Sequence, residues 1–258
     1  MTSTGAALVT GGSRGIGFAT ALALAERGWH TTIAGRDRAA LREAVAKADE
    51  RGLKLVPEQA DVTDEHSVAE LFDRLDAVDA CVHCAGTNHG ELLVEVDWDG
   101  VRTHSADSWE RTLRLGLTGT FLVGRSAAAR MVQANRGGVL VTISSAVRHG
   151  AFGQSAYSAT KAGVDALTRT WALELARHDI RVVGVAPGVV DGNALRARLA
   201  SEPAHERRMA ALLRGVPLGR WAREQEVADA VLFAVGNDYV TGTVLEVDGG
   251  GIPDRRLN

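Results

Sequence analysis

The chain has 258 residues, of which 45% are hydrophobic and 24% charged, with a formal net charge of −3. That length suits one large α/β domain better than two small ones, since such domains often run to about 250 residues, and so apolar a chain with so little net charge argues against disorder. The absence of a basic excess argues against nucleic acid or an anionic membrane as the main partner. The longest apolar stretch, from Val182 to Val190, falls short of the roughly 18–20 residues of a membrane span, and Met1–Thr4 carry neither a basic nor an apolar leader. A soluble, cytoplasmic protein is the expectation.

Apolar, β-branched runs alternate with longer helical patterns. Strands are predicted at Ala6–Thr10, Thr31–Ala34, Lys54–Gln59, Ala80–His83, Val139–Ile143, Arg181–Val185 and Val244–Val247, with helices near 15–27, 37–50, 64–75, 107–133, 154–178 and 224–236. This alternation implies right-handed βαβ units, and hence an α/β, single-domain, Rossmann-type doubly wound parallel sheet of about seven strands with helices on both faces. Two segments stand outside it. Thr87–Ala106 reads as a polar loop holding His89, Glu91, Asp97, Trp98 and Asp99, and Gly188–Gly215 as an Arg-rich, helix-prone excursion. Both follow strands, so both are expected to overhang the crevice beyond the strands' carboxyl ends, where ligands bind in such sheets. The second is expected to cover the substrate.

The two cysteines, Cys81 and Cys84, lie in a Cys-Val-His-Cys tetrapeptide with no second ligand pair to match. They read as a buried strand end rather than a zinc site or redox pair, and no metal is expected.

The first strand runs into Thr10-Gly11-Gly12-Ser13-Arg14-Gly15-Ile16-Gly17 and then an Ala-rich helix. Glycine permits the tight turn and the approach of backbone N–H groups to a pyrophosphate, and the helix N-terminus beyond favours negative charge. Set between a strand and a helix, the pattern is a dinucleotide fingerprint, although its spacing is not GxGxxG. A second signal comes from rarity: among 26 arginines there are only three lysines and two tyrosines, yet Lys161 follows Tyr157 by four residues. Residues four apart on a helix share a face. A phenol's ordinary pKa near 10 is too high for efficient proton transfer at neutral pH. An ammonium about 4 Å away, at an effective dielectric near 20, would favour phenolate by roughly 4 kcal/mol, or about three pKa units.

Taken in order, these motifs resemble the short-chain dehydrogenase/reductase family. Asp61-Val62 resembles its adenine-binding Asp, and His83-Cys84-Ala85-Gly86 stands where the family has Asn-Asn-Ala-Gly. Ser144-Ser145 and Tyr157-Ser158-Ala159-Thr160-Lys161 resemble its Ser and YxxxK pattern. Pro187-Gly188, Tyr239-Val240-Thr241-Gly242 and Val247-Asp248-Gly249-Gly250 resemble its closing segments. The resemblance covers essentially the whole chain and points to carbonyl reductases of the 3-oxoacyl-thioester type. It implies that Tyr157 gives a proton to the carbonyl oxygen as hydride arrives from the nicotinamide, that a serine hydroxyl holds that oxygen, and that Lys161 also binds the nicotinamide ribose. Alignment of Val141-Thr142-Ile143 points to Ser145, whereas the family's usual spacing before the tyrosine points to Ser144; Ser145 is favoured and both stay candidates. Cofactor contacts are implied for Gly11, Ser13, Arg14, Gly15, Ile16 and Gly17 in the first turn. They are implied as well for Arg36, Asp61 and Val62, for Ala85 and Gly86, for Pro187, Gly188 and Val190, and for Tyr157 and Lys161.

NAD-preferring folds of this kind place an acidic residue at the end of the second strand. Here Ala34-Gly35-Arg36 offers no carboxylate until Asp37, and the planar forks of Arg36 and Arg14 suit a 2′-phosphate, so NADP(H) is the expected cofactor. Several positions depart from the family. Gly116 replaces an asparagine that kinks the helix and holds a water between the lysine and solvent; a helical glycine costs roughly 1 kcal/mol relative to alanine and is expected to leave a gap that an extra water fills. Ala186, Gly192 and a short helix after Asp61 point to a specialised substrate. The Arg-over-Lys bias suits a GC-rich genome, where tailoring reductases of secondary metabolism are common. His149, Phe152 and Gln154 are expected on the substrate side, and Arg196, Arg198, Arg207, Arg208 and Arg214 are placed to meet an acidic or carrier-bound substrate.

The leading expectation is NADPH-dependent reduction of a ketone or 3-oxoacyl group to a secondary alcohol, in a homotetramer or homodimer of the kind the resemblance implies. The alternatives are an alcohol dehydrogenase running in the oxidative direction and a redox-silent relative that keeps the fold for binding.

Overall fold

The computed structural model describes residues 5–192, 195–196, 199–200 and 209–251. In chain order the first half holds β1 (Ala6–Thr10), α1 (Gly15–Glu26), β2 (His30–Gly35), α2 (Arg38–Asp49), β3 (Leu55–Gln59), α3 (Glu65–Asp73), β4 (Ala80–His83), β5 (Val94–Asp97), β6 (Gly100–Thr103) and α4 (Ala106–Leu113). The second half holds α5 (Gly119–Ala134), β7 (Gly138–Ile143), α6 (Ser155–Leu175), β8 (Ile180–Pro187), α7 (Glu224–Gly236) and β9 (Val244–Val247).

Seven strands form one sheet in the order β3-β2-β1-β4-β7-β8-β9, and every neighbouring pair is parallel. Successive residues of each strand enter opposite layers. Leu8 packs with Leu71, Phe72, Val123, Leu140 and Trp171 on the α3, α5 and α6 side. Its neighbour Val9 packs with Leu24, Ile33, Leu41, Val227 and Val231 on the α1, α2 and α7 side. Each fully buried side chain of this size contributes about 1.5–3 kcal/mol, so a one-residue slip of register would turn both layers inside out. The strand order reverses between β1 and β4, and the register lays Thr10, His83, Thr142 and Gly184 in one row across β1, β4, β7 and β8. The chain segments leaving that row form the crevice.

Asp37 starts α2 by accepting from the backbone N–H of Ala39 and Ala40, and Asp64 starts α3 by accepting from that of His66. Two expectations need correction. The helix predicted over 107–133 is broken: a π-helical turn, Arg114–Thr118, separates α4 from α5, with Gly116 at its centre. Thr87–Ala106 is not simply a polar loop, because β5 and β6 form an antiparallel hairpin that pairs Val96 with Val101 on one face and Glu95 with Arg102 on the other. Arg102 also pairs with Asp97, while Val94, Val96, Val101 and the tip residue Trp98 are exposed. Of the arginines expected in the excursion, Arg198, Arg207 and Arg208 lie outside the described residues. Among the described residues no helix is long and apolar enough to cross a membrane.

Arg181, at the start of β8, ties the sheet to the end of α7. It donates to the carbonyls of Ala234 at 2.7 Å and Val235 at 2.8 Å, oxygens that a helix C-terminus leaves without intrahelical partners, and to that of Val240, beyond the helix, at 3.1 Å. Arg181→Met is expected to lower unfolding stability by about 2–3 kcal/mol, the scale of charge-assisted hydrogen bonds lost with their acceptors left buried. Chemical denaturation measures this, and an unchanged midpoint would show the cap to be dispensable.

Candidate active site

The turn after β1 is built from backbone in contact with backbone. Gly11 has φ +66°, and a Cβ there would stand 2.8 Å from the N atom of Ala85 beyond β4; a Cβ at Gly17 would stand 2.2 Å from the Gly11 carbonyl oxygen. Only glycine fits either place. The α1 helix that follows begins with Arg14 at its N-cap, no side-chain cap and no acidic residue in its first turn. Its first amides are therefore free to meet an anion. An anionic dinucleotide fits this arrangement: a cradle that side chains would fill, facing an uncapped helix start. Gly15 shares the positive φ, at +59°, Ile16 packs onto the α1-side core, and the Ser13 hydroxyl lies over Gly35 at the end of β2.

Arg14 and Arg36 flank the same edge, each resting on a carboxylate. Arg14 Nη2 is 3.4 Å from Asp37, and Arg36 Nη1 is 3.8 Å from Asp61. Both pairs are exposed and long, so each is worth about 0–1 kcal/mol and is easily exchanged for a phosphate. Asp61 Oδ1 accepts from the Thr63 backbone N–H and hydroxyl. Burial pushes its carboxyl up, but the Thr63 hydrogen bonds and the charges of Arg36 and Arg114 outweigh that and hold it below the ordinary range. Val62 is buried beside Gly119.

At the end of β4, His83 Nδ1 shares a 2.8 Å hydrogen bond with the Thr10 hydroxyl. Burial, helped by the Lys161 charge, pushes His83 down to about 3. Burial pushes Cys81 and Cys84 up to about 12, so at neutral pH all three side chains are uncharged. Ala85 walls the glycine turn, and Gly86 lies close to Lys161 Nζ.

The end of β7 separates the two serines. Ser144 is buried, and its hydroxyl donates to Asp165 on α6. Ser145, extended at φ −164°, caps a 3-10 turn over Ala146–His149 and places its hydroxyl against the Tyr157 phenol. Lys161 lies on the same helical face, with Nζ 5.5 Å from the Tyr157 ring centre. Here too an expectation is corrected. Lys161 donates to the Ile143 carbonyl oxygen at 2.6 Å, and the phenol is raised rather than lowered, because burial outweighs the hydrogen bond with Ser145. Burial also brings Lys161 itself down to about 8, against the pull of Cys84 and Asp165.

Gly116 leaves no gap. A Cβ there would stand 2.5 Å from Cγ2 of Thr160, a buried residue whose own hydroxyl has no hydrogen-bond partner. Thr160 thus fills the space expected to hold water. Beyond β8, the Gly188 N–H donates to the Val247 carbonyl, following Pro187, and Val190 bridges to Ala222. His149 and Phe152 are exposed, and Gln154 precedes α6 beside Gly90. Arg196 makes a two-pronged ion pair with Asp191 at 2.8 and 2.9 Å. Arg214 donates to the Ala210 carbonyl.

Sequence reasoning missed Arg148 and Asp165, which hold the serine segment from below. The signal for Asp165 was present: Tyr157, Lys161, Asp165 and Arg169 recur every four residues. Arg148 carried no such signal.

The profile of the family described as enoyl-(acyl carrier protein) reductase matches residues 11–251. A 3-oxoacyl-[acyl-carrier-protein] reductase of Thermotoga maritima is 34% identical over 94% of this chain and 96% of its own length. A cis-4-hydroxycyclohexanecarboxylate dehydrogenase of Sinomonas cyclohexanicum is 40% identical, covering 95% of each. Among solved structures, an actinorhodin polyketide ketoreductase variant with NADPH superposes with a TM-score of 0.84 at 29% identity, over 97% of this chain and 98% of that one.

Gly116→Asn is expected to cost about 1–3 kcal/mol by overpacking against Thr160, and Gly116→Asn/Thr160→Ala to recover most of it. Thermal denaturation of both variants decides this; equal losses would show that Thr160 is not the obstacle.

Proposed function

This chain belongs to the short-chain dehydrogenase/reductase family, and from that membership we propose that it is an NADP(H)-dependent oxidoreductase that reduces a ketone or 3-oxoacyl group to a secondary alcohol. The observation that carries the reading is the convergence of Ser145, Tyr157 and Lys161 at the end of β7, two strands from the glycine turn.

The cofactor, when bound, supplies the hydride. Tyr157, kept protonated at neutral pH by burial, gives its phenolic proton to the carbonyl oxygen, and the Ser145 hydroxyl holds that oxygen by a hydrogen bond. Lys161 stabilises the phenolate that results and turns toward the cofactor's ribose from its place on Ile143. Ser145 takes this role rather than Ser144, whose hydroxyl is committed to Asp165. Gly11, Ser13, Gly15, Ile16 and Gly17 receive the pyrophosphate, and Asp61 and Val62 flank the adenine. Ala85, Gly86, Pro187, Gly188 and Val190 line the nicotinamide end.

Arg14 and Arg36 bind the 2′-phosphate. In support, Asp37, the first carboxylate after β2, is occupied with the start of α2, and a ketoreductase of similar fold was solved with NADPH. The excursion at about 188–215 covers the substrate, which is a small molecule or carrier-bound, and the active form is a homotetramer or homodimer. The oxidative direction is the second reading, favoured by the 40% identity to a hydroxycyclohexanecarboxylate dehydrogenase.

Fluorescence titration tests the cofactor. NADPH is expected to bind at micromolar concentration and NADH much more weakly. Arg36→Ala is expected to weaken NADPH by roughly tenfold or more, as for a lost charge-assisted contact of about 1.5–3 kcal/mol, while barely changing NADH. A preference for NADH would overturn the assignment. The pH profile tests Lys161. Because kcat/KM for NADPH reports the free enzyme, and Lys161 loses its proton above about 8, that ratio is expected to fall as pH rises through 8. A flat profile to pH 10 would remove Lys161 from the mechanism.

A further inference from the structure

Beneath Ser145 lie two buried charges that take no part in the proton transfer above. Arg148 belongs to the turn that Ser145 caps, and its side chain is 7% exposed; Asp165 stands on α6, one turn beyond Lys161, with its side chain 6% exposed. Arg148 Nε is 2.8 Å from Asp165 Oδ2. The same guanidinium donates to the Ser145 carbonyl oxygen at 3.2 Å and pairs with Glu246 on β9. The other carboxylate oxygen of Asp165 accepts the Ser144 hydroxyl. Two side chains therefore fasten both serines to α6, and the segment as a whole to the last strand. Arg169 approaches Asp165 only at 3.9 Å and from an exposed position.

Stability does not account for such a pair. Removing two ions from water costs several kcal/mol each, and apolar side chains of similar volume in the same place are often as stable or more so. What the pair adds is geometry. It joins the segment carrying Ser145 to the helix carrying Tyr157 and Lys161, and a misplacement of 1 Å in a reacting group costs about 10²-fold in rate.

Resting on the roles given to Ser145 and Tyr157 above, we propose that Arg148 and Asp165 are positioning residues whose buried ion pair clamps the Ser144–Ser145 segment to α6 and sets the meeting of the Ser145 hydroxyl with the Tyr157 phenol.

The test separates geometry from charge balance. Asp165→Asn leaves Arg148 with only the half-exposed Glu246, and Arg148→Met leaves Asp165 with only the distant, exposed Arg169, so both lower the melting temperature and reduce kcat at least tenfold, with the NADPH Kd within twofold of wild type. Arg148→Met/Asp165→Leu removes both charges; its melting temperature returns to near wild type while kcat stays at least tenfold low. Arg148→Lys keeps the charge and the fold but cannot span Asp165, Ser145 and Glu246 together, and it too loses kcat. Recovery of kcat together with melting temperature in the double variant would overturn the proposal.

A second readout needs no turnover. The chain has two tyrosines, and Tyr239 is fully exposed, so in protein labelled with ¹³Cζ-tyrosine it serves as an internal reference. In the double variant the Tyr157 resonance moves in the direction seen with Ser145→Ala while that of Tyr239 stays in place. A Tyr157 signal that does not move overturns the proposal. If it moves in a protein that reduces no ketone, the clamp stands and the reductase reading falls.

Discussion

Everything in the crevice depends on the register of four parallel strands. Because Thr10, His83, Thr142 and Gly184 share one row, the chain leaves β1, β4, β7 and β8 at the same height. The glycine turn then meets Ala85 backbone to backbone, and Lys161 reaches the Ile143 carbonyl. The row is itself polar: Thr10 bonds His83, and Thr142 bonds Thr168 on α6. Two apolar layers lie below it and Ser145, Tyr157 and Lys161 above, so it marks where the core ends and the crevice begins.

The electrostatics at and around the row are sparse. His83, Cys81 and Cys84 are uncharged at neutral pH, each shifted by burial. Lys161 and Arg148 are therefore the buried cations, answered by the buried carboxylate of Asp165. In so poorly solvated a place each interaction is stronger than at the surface. Lost hydration, working against the pull of Cys84 and Asp165, makes Lys161, without a carboxylate in contact, give up its proton more readily than a solvated lysine does.

Much of this was legible in the sequence, for physical reasons. The strands announced themselves because parallel strands are buried on both faces and read as apolar, β-branched runs. The glycine turn was legible because no other residue fits where backbones touch. Tyr157 and Lys161 could be placed on one face by spacing, but spacing does not say where a side chain points, and Lys161 points to Ile143 rather than to the phenol. The space at Gly116 was misread because Thr160, from another helix, fills it. Arg148 finds Asp165 and Glu246 only through the fold. The hairpin carried its signals, alternation from Val94 to Asp97 and an Asp99-Gly100 turn, beneath a composition that looked merely polar.

The strand order also dictates when the crevice can exist. As the chain is synthesised, β1, β2 and β3 can pair with one another early, but the glycine turn has no opposite wall until Ala85 has been made. Ser145 gains its support from β9 only when Glu246 arrives, close to the end of the described chain. Loops that join such distant partners close at an entropic cost, so contacts of this kind form late. A nascent chain can therefore build part of its apolar layers before the wall of the glycine turn and the support of Ser145 from the last strand are in place.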